Sequence, residues 1–154
     1  MARKYDSAIA TEIINNFDAA PEMLVQILVG FVERYSYISE EAIRQIAKEL
    51  NLSRAEVHGV VSFYHDFRTQ PPGKRVIKIC QAESCQAMGS RELTSHAEKK
   101  IGVNISETTR DGEVTLEPVY CLGNCACSPA VMIDEQVYGR VDPKKFDSLL
   151  EKLQ

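Results

Sequence analysis

No run of about eighteen apolar residues occurs in this chain, so a membrane-spanning helix is not expected. The longest apolar stretch, around Met23 to Val32, is broken by Gln26 and Gly30. Long basic blocks are also missing. Nothing exceeds Lys99-Lys100, and the formal net charge is −4, so there is no electrostatic footprint for nucleic acid. The opening residues, Met-Ala-Arg-Lys-Tyr-Asp-Ser, lack the apolar core and cleavage site of a secretory signal. The expected setting is therefore the cytoplasm, with thiols kept reduced. No serine, histidine and acid constellation can be recognised, and Glu83 and Asp134 stand as single carboxylates, so hydrolytic or acyl-transfer catalysis is not expected.

What the chain does have is 154 residues, enough for a real core without disulfide staples. Four of its five cysteines fall into two close pairs, Cys80-Gln-Ala-Glu-Ser-Cys85 and Cys121-Leu-Gly-Asn-Cys125. A four-thiolate site needs ligands converging from separate loops, and two pairs brought together by a compact fold meet that need. Neither pair has the two-residue spacing of a thioredoxin-type redox motif. The spacing leaves three readings open: a [2Fe–2S] cluster, a structural zinc ion, or thiols that share no ligand. Cys127 is a fifth thiol that could also offer its sulfur. The histidines, His58, His65 and His96, show no pairing with the cysteine loops and suit helix surfaces or interfaces better, so a Rieske arrangement is not expected.

The first seventy residues carry helical periodicity. Ile9, Ile13 and Phe17 suggest a short helix. After Pro21, the residues Leu24, Ile27, Leu28, Phe31 and Val32 define one apolar face. Ser39 can cap a third helix with Ile43, Ile46, Ala47 and Leu50 inward and Asn51 as its stop. Ser53 and Glu56 form a capping-box pattern for a fourth, burying Val57, Val60, Val61 and Tyr64, with Gly59 weakening it or admitting another backbone.

The breaker cluster Arg68-Thr69-Gln70-Pro71-Pro72-Gly73-Lys74 marks a boundary, giving regions 1–72 and 73–154. Beyond it, Val76, Ile77 and Ile79 form a strand into Cys80, and Arg91 to Ile101 reads as a helix. After the turn at Asp111-Gly112, Val114, Leu116 and Val119 form a strand delivering Cys121. Ala130 to Ile133 and Gln136 to Val141 read as a hairpin, and Pro143 opens a last helix ending in Leu149, Leu150 and Leu153. Each first cysteine ends a strand and each second one lies in the following loop. The order fits an α+β fold, a helical bundle followed by a thioredoxin-like domain with a small mixed sheet. Gly123 permits a tight path around sulfur atoms, and free loop amides could donate to cluster sulfurs and help set a potential.

VHGVVSFYHDF, then PPGK, the strand into Cys80-QAES-Cys85, MGS before a helix, and VYCLGNCACSPAVMID together resemble the thioredoxin-like [2Fe–2S] ferredoxin subunits, over about Asp18 to the C-terminus. The resemblance implies one [2Fe–2S] cluster held by Cys80, Cys85, Cys121 and Cys125, with Cys127 outside the four. That family serves NADH:quinone oxidoreductase, NAD(P)-reducing hydrogenases and soluble NAD-dependent formate dehydrogenases. CLGNCACSPAVMID with GRVDPKKFDSLL looks most like the formate dehydrogenase gamma subunit. The resemblance further implies an electron-transfer subunit of an NAD-dependent oxidoreductase complex, with no substrate chemistry of its own. Its implied partner is a flavin- and NAD-binding iron–sulfur subunit holding FMN and further clusters. A molybdenum-containing subunit would oxidise formate, with this chain's cluster a side acceptor or reservoir near the flavin. Region 1–72 is the implied docking surface, and region 73–154 the cluster domain.

Overall fold

Caps and a polar seam decide how the first helices sit. In the computed structural model, which describes residues 5–152, the Asp6 carboxylate accepts from the amides of Ala8 and Ile9 and starts α1 (Ser7–Asn15). Gln45 donates to the Ser7 carbonyl at 3.1 Å and to the Thr11 hydroxyl at 2.7 Å, and Thr11 donates to Glu49 at 3.1 Å. This seam fixes the rotation of α1 against the helix that carries Gln45 and Glu49, so Ala10 and Ile14 are buried. The expected Ile9, Ile13 and Phe17 are only half-buried around them.

A 3₁₀ turn at Pro21–Met23 leads into α2 (Leu24–Tyr35), which ends where Ser36 turns left-handed at φ 68°. Leu24, Ile27, Leu28 and Phe31 are buried as expected, but Tyr35 takes the place assigned to Val32. Tyr35 lies one turn beyond Phe31, and its hydroxyl donates to the Asp6 carbonyl at 3.1 Å. In α3 (Glu40–Glu49) the Ser39 hydroxyl accepts from the Ala42 amide, and Ile43, Ile46, Ala47 and Leu50 are all buried. Asn51, at φ 54°, stops it.

The capping box of α4 (Arg54–Phe63) is reciprocal: Ser53 Oγ accepts from the Glu56 amide at 3.1 Å, while the Glu56 carboxylate accepts from the Ser53 amide at 2.8 Å. Val57 and Val61 are buried and Val60 half-buried. Tyr64 is 43% exposed instead, because the chain becomes extended there and leaves the helical phase. No side chain or backbone comes within 4 Å of where a Gly59 Cβ would stand, so among the described residues that glycine admits no close neighbour.

The helical unit ends at Pro72, and a second compact unit begins at Gly73. Its five-stranded sheet has the order β2-β3-β1-β4-β5, with β1 (Arg75–Cys80) at the centre. β1 runs parallel to β3 (Val114–Val119) and antiparallel to β4 (Val131–Ile133). β5 (Gln136–Tyr138) pairs with β4, and β2 (Glu107–Thr108) pairs with β3 at the other edge. The sequence carries no periodic signal for β2, since two exposed polar residues have no pattern to show. The Asp134 carboxylate pins the hairpin to β1, accepting from Arg75 at 2.7 Å and from the Val76 amide at 3.1 Å.

The crossover from β1 to β3 holds α5 (Glu83–Ala87) and α6 (Ser90–Ile101). The chain closes with α7 (Pro143–Glu151), capped by Asp142; Leu153 lies outside the described residues. Ile77, Leu116 and Ile133 are register partners, as are Ile79 and Val131. These side chains share one face and pack with Leu93 and Ala97 of α6 and Phe146 and Leu149 of α7. The fold is α+β, as the sequence indicated.

Two measurements check this packing. Phe31→Ala removes a fully buried ring, and urea unfolding should show a loss of about 3–5 kcal/mol. The amide and hydroxyl of Ser53 hold the Glu56 carboxyl below its usual value of 4.5. Its stabilisation is thus complete above that value and lost as pH falls through the lower folded one. Glu56→Ala should therefore be less stable than the parent at pH 7, with the gap narrowing under acid.

Candidate metal centre

Strand parity separates the first cysteine from the main core. Cys80 pairs with Val119 at the ends of β1 and β3, and both have the opposite parity to Ile77 and Ile79. Cys80 therefore joins a small separate cluster with Cys85 and Ala130, bordered by Ala82, Val119 and Leu122. Its amide donates to the Ala130 carbonyl at 3.0 Å, and the Gln81 amide donates to Val119 at 2.7 Å. The next residues wind into α5, so Cys85 sits on a helix rather than in the expected loop. A turn there satisfies the backbone locally, the Gln86 amide donating to Ala82 at 2.9 Å. The Gln86 side chain donates to the Gln81 carbonyl at 2.7 Å and ties α5 to the strand end.

The second pair follows β3. Cys121 is held at φ 128°, a conformation that ordinarily favours glycine, and Gly123 follows at φ 71°. Strain at a residue with a reactive side chain is a common mark of a functional turn. The loop folds over its own sulfur: the Gly123 amide donates to Cys121 Sγ at 3.3 Å. Cys125 opens a 3₁₀ turn (Cys125–Cys127), again not a plain loop. Its sulfur lies 3.8 Å from that of Cys121. Behind this turn stands Gly139, where an added Cβ would meet Cys127 Cβ at 2.6 Å and the Asn124 side chain at 2.7 Å. Cys127 thus backs onto the strand-end glycine and is half-buried.

Two serines join the pairs. Ser84 and Ser128 both donate to the Cys125 carbonyl, at 3.2 and 2.8 Å, and their hydroxyls lie 2.9 Å apart. Cys85 Sγ is 3.4 Å from Ser128 Oγ. Burial pushes the Cys80 thiol up, and neighbouring Cys85 adds to this against the pull of the Ala82 and Leu122 amides. Burial works the same way on Cys85, yet the Ser128 hydroxyl, the Ala130 amide and Cys80 outweigh it and bring its pKa below the ordinary thiol value. Cys125 is raised, chiefly by its hydrogen bond to Cys121 and the charge there. Adjacent sulfurs that compete for protons in this way need a cation before all can be thiolates.

Among the described residues no three of the Cys, His, Asp or Glu side chains converge on one metal ion, but the second pair alone has the spacing for one. Two thiolates at about 2.3 Å from one tetrahedral metal stand about 3.8 Å apart, which is the Cys121 to Cys125 separation. The Leu122 amide reaching Cys80, and Cys85 acting on Cys125, bind the two pairs into one locality. Cys80 and Cys85 are buried, while Cys121 and Cys125 are exposed. His96 on α6 hydrogen-bonds Asp147 at 2.8 Å and packs edge-on against Phe146; His58 and His65 belong to the helical unit. The sequence reading missed Ser84, Ser128 and Gly139. No motif marks the serines, and only the turn-like Gly139-Arg140 pair after β5 could have drawn attention to the glycine.

The model of the thioredoxin-like [2Fe–2S] ferredoxin family matches residues 10–154. A NADH-quinone oxidoreductase subunit of Buchnera aphidicola subsp. Baizongia pistaciae is 35% identical, over 92% of this chain and 83% of that protein. Its Escherichia coli K12 counterpart is 36% identical over 75% of this chain and 70% of its own. The NADP-reducing hydrogenase subunit HndA of Solidesulfovibrio fructosivorans is 30% identical, over 90% and 83%. Among solved structures, an NAD+-reducing [NiFe]-hydrogenase in the air-oxidized state matches in fold with a TM-score of 0.72 at 23% identity. It covers 86% of this chain and 23% of that one, so this chain spans about a quarter of that hydrogenase chain.

Gly139→Ala should displace the second cysteine turn, because the new methyl meets Cys127 Cβ and the Cys127 carbonyl, neither of them the far end of a flexible side chain. A lower thermal midpoint together with weaker metal retention is expected. An unchanged melt and metal content would show that the turn yields freely.

Proposed function

This chain belongs to the thioredoxin-like [2Fe–2S] ferredoxin family, and on that premise we propose that it carries one [2Fe–2S] cluster and exchanges single electrons with the flavin of a partner subunit. The observation that carries the proposal is Ser128 bonded to both the Cys85 sulfur and the Cys125 carbonyl, with Cys121 and Cys125 spaced for a single tetrahedral metal. Cys80, Cys85, Cys121 and Cys125 would be the ligands. The cluster, when bound, accepts and returns one electron. The chain's own residues govern how easily. Amides of Ala82, Leu122 and Gly123 reach the sulfurs of Cys80 and Cys121 and offset the negative charge that accumulates there. Burial of Cys80 and Cys85 keeps water from half the site.

Exposure of Cys121 and Cys125 offers a short route to a partner. Around that side stand Met88 and Tyr120, 62% and 68% exposed, large apolar groups of the kind that interfaces cover. In the helical unit, the exposed Phe63 stacks edge-on against Tyr64 at 5.1 Å, and region 1–72 is proposed as the docking region. The partner would hold FMN, bind NAD and carry further iron–sulfur clusters. The C-terminal run CLGNCACSPAVMID with GRVDPKKFDSLL supports a parent formate dehydrogenase with a molybdenum-containing subunit. The NADH-quinone oxidoreductase relatives support membership of that complex as the second reading. A structural zinc ion is the competing chemistry for the same four thiolates.

Anaerobic purification should yield about two irons and two acid-labile sulfides per chain; stoichiometric zinc without sulfide would refute the electron carrier. Cys125→Ser should lose the native electron paramagnetic resonance of the reduced protein, and Cys127→Ser should keep it. For the partner, an affinity-tagged chain expressed in its own host should bring down a flavoprotein together with molybdenum. Nickel or a quinone-reducing assembly in molybdenum's place would favour the alternatives. Phe63→Asp with Tyr64→Asp should weaken that recovery at least tenfold if the helical unit docks.

A further inference from the structure

The serine pair that bridges the cysteine loops has a proton balance that changes with the state of Cys85. Ser128 is 8% exposed, so water has little access to its hydroxyl. It lies 2.8 Å from the Cys125 carbonyl, 2.9 Å from Ser84 Oγ and 3.4 Å from Cys85 Sγ. With Cys85 as a thiol, the sulfur donates to Ser128 and Ser128 donates to the carbonyl. A metal-bound Cys85 has no proton to give. If both serines then kept donating to the Cys125 carbonyl, a lone pair of Ser128 would face a buried thiolate. Ser84 removes that conflict, because its own hydroxyl reaches the same carbonyl at 3.2 Å. Two hydroxyl protons then serve two acceptors, one each.

We propose that Ser128 donates its hydroxyl proton to the Cys85 sulfur in the cluster-bound protein, that Ser84 frees it to do so by taking over the Cys125 carbonyl, and that this pair raises the cluster's reduction potential. The inference rests on the cluster reading above. Hydrogen bonds to charged acceptors are roughly twice as strong as neutral ones, and this one strengthens as reduction adds negative charge to the sulfurs. The reduced form is favoured, and the potential rises. Ser128 is a positioning and tuning residue here, not a ligand.

The test is potentiometric titration of the full-length, reconstituted chain, followed by visible absorption and by the electron paramagnetic resonance of the reduced state. Iron and sulfide are assayed first in every variant. Ser128→Ala should move the midpoint to lower potential by the equivalent of a threefold to tenfold change in the reduced-to-oxidised ratio, tenfold being about 59 mV for one electron. Ser128→Thr keeps the hydroxyl and should stay near the parent. Ser84→Ala should move the midpoint the same way by less, since the Ser128 proton is then drawn back to the carbonyl. The parent's reduced spectrum should show an exchangeable proton coupling that Ser128→Ala lacks. Parent-like midpoints in both alanine variants at full iron and sulfide would overturn the proposal while leaving the cluster intact. If Ser128→Ala cannot hold a cluster, an unshifted Ser84→Ala overturns it alone. A parent chain without iron and sulfide would instead sink the cluster reading, and this inference with it.

Discussion

The site depends on the parallel pairing of β1 with β3, which sets Cys80 beside Val119 at the ends of two strands. Parallel neighbours bring their C-terminal ends to one edge of the sheet, so the turns that follow them emerge side by side. One turn winds into α5 with Cys85, and the other folds over Gly123 to Cys125. Were the strands antiparallel, the two turns would leave from opposite edges. The crossover carrying α6 makes the parallel arrangement possible, and the core of Ile77, Leu116, Leu93 and Phe146 holds it.

Holding four thiolates at these turns would create an electrostatic problem that the same turns answer. The thiolates would repel one another, and Cys80 and Cys85 are buried, where charge is costly. Amides at Ala82, Leu122, Gly123 and Ala130 point toward sulfur, each belonging to a turn whose backbone is not consumed by the sheet. In the second turn Cys121 is held at φ 128°, and Gly139 packs closely behind Cys127.

Much of this was legible from residues in a row. The caps at Ser39 and Ser53 act within three positions, and the apolar faces of α2 and α3 repeat with the helical turn, so local chemistry suffices to read them. The two cysteine pairs with CLGNC likewise announced the family. Less legible were the face of α1, whose rotation is set by Gln45 on another helix, and the edge strand β2, too short to hold a period. The turns around Cys85 and Cys125 were expected as loops, yet both are helical turns.

By itself, then, the sequence determined the helices, the strands leading to each cysteine pair and the type of donor, because caps, periodicity and thiol chemistry are properties of neighbours along the chain. Tertiary structure alone decided that Ser84, Ser128, Ala130 and Gly139 stand against the cysteine turns. Those residues lie on separate elements, and their hydrogen bonds and contacts exist only after the sheet has closed and brought the turns together.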